Sequence, residues 1–273
     1  MTDRNDEVSV YLLIDNGLLQ EVSAGYTEAD LESRPSWLRP IYAERALQVS
    51  PLLIDIEAAY MEGDLDRVMA CWNARTPALH VTVIETRLDI EEMSDHLRRF
   101  IFISDPDGKQ FTLRFADCAV LASLSSVLKP EQWATMRMPI ENWKIHDRSG
   151  AMVELAPAQT EKIGPTPLCL DRDQLAALDE ASEPDHFIAK VNLMRHGLEL
   201  PGNAAQRYTW AQAARQIWRS QNNSNPTFLL FLTEIAILTS GKILKRTELA
   251  DFLAMDEVSN FRRRLNDLIH AEK

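Results

Sequence analysis

The chain has 273 residues, 45% hydrophobic and 26% charged, enough to bury about 70% of the unfolded surface without a metal or disulfide staple. Its net charge of −12 sits mostly in residues 1–164, with 16 Lys/Arg against 27 Asp/Glu, while residues 165–273 carry 13 against 14. So acidic a front half repels phosphate backbones and anionic lipid, which makes nucleic acid and membrane poor partners for that half.

The polar, acidic start has no export-signal pattern. The most apolar window, Phe228 to Thr239, contains Glu234 and falls short of the roughly 20 residues of a membrane helix. Cys71, Cys118 and Cys169 are far apart and odd in number, which gives neither a disulfide framework nor a C-x-x-C pair; they read as reduced core residues of a cytoplasmic chain.

Val8, Val10, Leu12 and Ile14 alternate with Ser9, Tyr11 and Asp15, the period of a strand, and Leu13 predicts burial on both faces. Pro51 to Ile56 and Leu79 to Ile84 read as further strands. Between them, Met61, Leu65, Val68, Met69 and Trp72 recur at helical spacing, which predicts one helix over Ala58 to Arg75 despite Gly63. Strand, helix and strand predict an α/β unit. Asp89 is expected to cap a helix, with Glu92 closing a capping box and Ile90, Met93 and Leu97 forming its inner stripe. Phe100–Ser104 and Phe111–Phe115 flank Asp105-Pro106-Asp107-Gly108, where proline and glycine suit a hairpin turn. Asp117 caps the next predicted helix, and Trp143–Ile145 with Met152–Leu155 form a last hairpin around Asp147 to Gly150.

Pro157, Gly164, Pro165 and Pro167 punctuate a stretch without apolar periodicity. The expected organisation is therefore an α/β (or α+β) domain over 1–156, with a mixed sheet and flanking helices, a linker at 157–167, and an all-helical domain over 168–273. The helical stretches fall near Gln174–Ala181, Asp185–Leu198, Ala205–Ser220, Thr227–Ser240, Thr247–Met255 and Glu257–Ala271.

No motif points to catalysis or to a cofactor. The sequence lacks the G-x-S-x-G elbow, the phosphate-binding G-x-x-x-x-G-K-[ST] loop and the G-x-G-x-x-G fingerprint. The six histidines show no i,i+4 pair that would aim two imidazoles at one zinc. Asp105 to Gly108 fails the calcium-loop pattern because its twelfth position is Ala116 rather than glutamate. The expectation is a non-enzyme without metal or cofactor. Lys242 to Ala250, followed by Arg262-Arg263-Arg264, faintly matches a helix-turn-helix, so a DNA-binding regulator using the basic C-terminal helices is the alternative.

His96-Leu97-Arg98-Arg99-Phe100, Asp105-Pro106-Asp107-Gly108 and Leu113-Arg114-Phe115-Ala116-Asp117, preceded by Pro51-Leu52-Leu53-Ile54, form an ordered block. This block resembles a bacterial family first catalogued as a domain of unknown function, whose members are type VI secretion effector adaptors, also called Tap or Tec chaperones. The likeness spans residues 8–145, about half of the chain. Where the family commonly has Tyr-Asp-Pro-Arg, this chain has Ala116-Asp117-Cys118-Ala119. The resemblance implies a cytoplasmic chaperone that binds a toxic effector and promotes its loading onto the VgrG spike. It implies that His96, Arg98, Arg99, Phe100, Arg114 and Asp117 organise the motif or touch a partner. In the helical tail, the exposed members of Trp210, Trp218 and Phe261 are the candidate partner anchors, since aromatic side chains dominate interface energies, while the helical spacing of each also suits a core position.

Overall fold

The computed structural model describes residues 7–33, 35–42, 44–255 and 257–270; Ala271, the end of the last predicted helix, lies outside the described residues. In chain order, the first half contains β1 (Ser9–Asp15), α1 (Asn16–Gln20), α2 (Glu28–Glu32), β2 (Leu38–Pro40), β3 (Pro51–Asp55), α3 (Ile56–Glu62), α4 (Leu65–Trp72), β4 (Val81–Thr86) and α5 (Ile90–Arg98). There follow β5 (Phe102–Ser104), β6 (Gln110–Thr112), α6 (Cys118–Val127), α7 (Pro130–Arg137), β7 (Ile140–His146), β8 (Met152–Glu154) and β9 (Leu168–Cys169). Helices complete the described chain: α8 (Arg172–Met194), α9 (Ala204–Ser220), α10 (Pro226–Leu238), α11 (Leu249–Leu253) and α12 (Val258–His270).

The expected α/β class holds, with sheets and flanking helices in the first half and helices in the second. The larger sheet runs β2-β3-β1-β4-β7-β8 and is antiparallel throughout. A smaller mixed sheet runs β6-β5-β9, with β9 parallel to β5.

β1 is central because both of its faces are apolar. Tyr11 and Leu13 join Leu53, Ile84, Trp143 and Ile145 on one side, under Met93 and Leu97 of α5 and Leu121 and Leu124 of α6. Leu12 and Ile14 join Leu52, Ile54 and Val81 on the other, under Leu19, Leu31, Ala59 and Val68 of α1 to α4. Covering both faces removes the strict alternation that a half-exposed strand shows.

Three expectations are corrected by local geometry. The helix predicted over Ala58 to Arg75 is two helices, because Gly63 takes a left-handed φ of 83° and ends α3; only glycine occupies that region without steric cost. Conversely, the two stretches predicted over 174–198 join in one helix, α8, which carries Pro184 inside it and ends at Met194, before His196 takes a left-handed φ of 52°. Cys169 is exposed, whereas Cys71 and Cys118 lie in the core as expected.

The chain divides into two compact units, Met1–Leu178 and Asp179–Lys273. The proline-rich stretch 157–167 therefore lies inside the first unit and does not end it. Beyond it, β9 pairs with β5, and Leu168 and Leu170 are fully buried in the first core. Gln174 then donates to the carbonyls of Val127 and of the Gln132 side chain at 2.9 and 2.8 Å. In the second unit, Phe228, Leu232, Ile235, Phe261 and Leu265 build a separate core from α10 and α12. Among the described residues, no helix is long and apolar enough to cross a membrane.

Candidate functional site

The motif residues of the first unit fall into two clusters. One gathers at the C-terminal end of α5, whose N-terminus carries the predicted capping box between Asp89 and Glu92. His96, 5% exposed, reaches the carbonyl of Met136 at 2.9 Å through Nε2, and the Arg99 guanidinium contacts its Nδ1. Arginine only donates, so Nδ1 accepts and the proton sits on Nε2, donated to Met136. Burial pushes the imidazole down to about 4, with the Arg99 charge reinforcing it against the Met136 hydrogen bond. His96 is thus a neutral tie between α5 and α7.

Phe100 is fully buried and meets His96 edge to face at 5.1 Å, with the Arg99 guanidinium over its ring at 5.8 Å. Arg98 reaches sideways: it donates to the carbonyls of Pro40 and Ile41 at 3.2 and 3.4 Å and pairs with Asp95 at 2.7 Å. Beside this cluster, Leu88, Glu92, Asp95, Arg99 and the exposed Met138 line an open groove of about 440 Å³.

The second cluster closes around Arg114. Its guanidinium donates to Asp15 at 2.9 Å, and the Asp15 side chain is 7% exposed while that of Arg114 is 51% exposed. Asp15 also accepts from the Leu18 amide at 3.0 Å, capping α1 at the end of β1. Asp117 caps α6 through the Ala119 amide at 2.9 Å. Burial pushes its carboxyl above the ordinary range, although the Ala119 bond and the Arg114 charge pull the other way. Arg114 therefore pairs with the buried Asp15 and lies within electrostatic reach of the half-buried Asp117. Nothing local in the sequence marks the pair with Asp15, which lies 99 residues away.

The candidate aromatic anchors do not gather on a surface. Phe261 is fully buried against Phe228 at a centroid distance of 4.6 Å, and Trp218 is 8% exposed with its indole N–H donated to Asn223. Both serve the core of the second unit, the alternative that their helical spacing allowed, and neither is an exposed anchor. Trp210 is half-buried, its indole lying where a Cβ on Gly202 or Gly241 would stand at 2.6 Å. The basic tail is exposed: Arg262 stacks over Phe231 at 4.7 Å, and Arg263 donates to Asn260.

Among the described residues, no group of three or more His, Cys, Asp or Glu side chains is placed to hold a metal ion. The hairpin at Asp105 is an ordinary turn: its carboxylate accepts from the amides of Asp107 and Lys109, and Gly108 takes φ 82°. The arrangement ties segments together through buried charges and backbone carbonyls.

No curated protein and no solved structure matches the chain. Residues 10–135, which run from β1 into α7 and contain the whole motif block, match the model of the family described as a domain of unknown function (DUF4123).

Proposed function

We propose that this chain is an adaptor chaperone of bacterial type VI secretion, which holds a toxic effector in the cytoplasm and promotes its loading onto the VgrG spike without catalysing a reaction. The observation that carries the reading is the match over residues 10–135, on the same segment that resembles those adaptors. The arrangement of the motif residues supports it, because a shared block spent on holding the scaffold suits a common frame that carries variable partners.

On this reading the family-like first unit engages the spike, and the helical second unit, outside the matched segment, selects the effector. The test is affinity purification of the intact chain from cells co-expressing a type VI effector and the VgrG of the same genome. Retention of both partners is the expected result. Retention of neither, from a folded chain, overturns the reading.

A further inference from the structure

Every open sheet has two edges, each offering unpaired N–H and C=O groups that natural proteins usually blunt. The edges of the large sheet are treated very differently. On β2, the Ile41 amide bonds to Pro51 and the Asp55 amide to Trp37, so the groups of Leu38 and Pro40 point outward. All of these are closed. The Leu38 amide donates to Pro35 at 3.1 Å, the Leu38 carbonyl accepts from Arg39 at 2.8 Å, Pro40 has no N–H, and its carbonyl accepts from Arg98 at 3.2 Å.

The opposite edge, β8, has no such closure. The Leu155 amide bonds to Trp143 and the Asp147 amide to Ala151, while Ile145 faces Val153. By antiparallel alternation the N–H and C=O of Met152 and Glu154 therefore point away from β7. Among the described residues no hydrogen bond reaches those four groups. Met152 and Val153 are 44% and 38% exposed, and Glu154 is exposed beside them, its half-exposed carboxylate 3.9 Å from the buried Arg137 guanidinium. Val153 continues the face of Ile145, and Met152 and Glu154 continue the face of His146 and Lys144. The smaller sheet also has an exposed edge at β6, but its outward positions are the polar Gln110 and Thr112.

We propose that β8 is a docking edge that takes an extended segment of a partner protein as a seventh strand, with apolar residues toward Val153 and basic residues toward Glu154. Main-chain hydrogen bonds define the occupant as a strand, and alternate side chains set its specificity. The front half's excess of 27 acids over 16 bases favours a basic segment. A second copy of this chain is the poorer occupant. Each copy carries −12, and two facing three-residue strands bury far less than the roughly 1,200 Å² of a stable dimer. The assignment rests on the adaptor reading only for the partner's biological identity.

The test uses the intact chain and a doubly capped ten-residue peptide of alternating valine and lysine, followed by amide NMR, with an alternating valine and glutamate peptide as control. In the free protein the Val153 amide should exchange at least about ten-fold more slowly than those of Met152 and Glu154. The basic peptide should then protect both outward amides saturably. Met152→Pro removes an outward N–H without touching the β7 ladder, so it should weaken binding at least about ten-fold while Val153 stays protected. Glu154→Lys should shift preference toward the acidic peptide. Equal binding to wild type and Met152→Pro overturns the proposal, as does protection of neither amide, or a dimer in sedimentation that Met152→Pro dissolves. If Met152→Pro retains effector and spike undiminished, the edge assignment fails and the adaptor reading stands. If the peptide binds as expected but wild type retains neither protein, the adaptor reading fails and the edge survives.

Discussion

His96 shows how one residue couples burial, tautomer and pH. Its imidazole falls from an ordinary 6.5 to about 4, so between these values the unfolded chain binds the extra proton and stability rises with pH. Acidification from pH 7 to 4 should therefore destabilise the fold through this group by up to about 3 kcal/mol. Urea melts across that range check it. His96→Gln keeps a donor for the Met136 carbonyl but does not titrate, so its stability should fall less on acidification; His80, also lowered by burial, accounts for part of the remaining slope. A slope unchanged by His96→Gln contradicts the assignment.

The pair of Arg114 with Asp15 joins the start of α1 to the segment before α6. Removing the arginine leaves the buried Asp15 without its cation and Asp117 without a nearby positive charge, so Arg114→Ala should cost about 1–3 kcal/mol, a figure reduced by the half-exposure of the guanidinium. Asp15→Asn keeps the acceptor for Leu18 and should cost less. The double variant should recover at least about 0.5 kcal/mol of coupling. Strict additivity in chemical denaturation contradicts the pairing.

Among elements, the end of α10 depends on glycine for two independent reasons. Gly241 follows Ser240 at φ 78°, and a Cβ there would stand 2.6 Å from the Trp210 indole. Gly241→Ala should lower stability by about 1–3 kcal/mol, from left-handed strain plus overpacking. Gly63 shares the left-handed φ but meets nothing within 4 Å, so Gly63→Ala should cost only about 1 kcal/mol. Thermal melts that rank the two in reverse contradict the packing argument. Much at this scale was legible: the capping box of Asp89, the turns at Gly108 and Gly150, and the capping role of Asp117 involve groups within four residues. The break at Gly63 was missed because the apolar stripe of α3 and α4 keeps helical spacing across it, while backbone φ leaves no trace in such a pattern.

For the whole molecule, the position of the boundary carries a measurable consequence. Cutting at 164 removes Leu168 and Leu170 from the first core, β9 from the small sheet and Gln174 from Val127 and Gln132. A fragment of residues 1–178 should therefore be more stable than one of residues 1–164 by several kcal/mol, since each buried leucine alone contributes about 2 kcal/mol. Equal melting of the two fragments contradicts the division. Proline composition marked 157–167 as irregular, which it is, but irregularity of backbone says nothing about which core the following residues join.

The sequence by itself determined the longer helices and strands, where caps and hairpin turns sit, and which block resembles a known family, because those features depend on side chains a few positions apart; short elements such as α1, α2, β2, α7 and β9 it did not mark. Tertiary structure alone decided the strand order β2-β3-β1-β4-β7-β8, the tie from His96 to Met136 across 40 residues, and the service of Arg114 to Asp15 across 99. It also decided that one sheet edge is closed by Arg39 and Arg98 while the other is open. Pairing partners are chosen by how both apolar faces of a buried strand are covered at once, and that choice is made by the assembled core rather than by any local pattern.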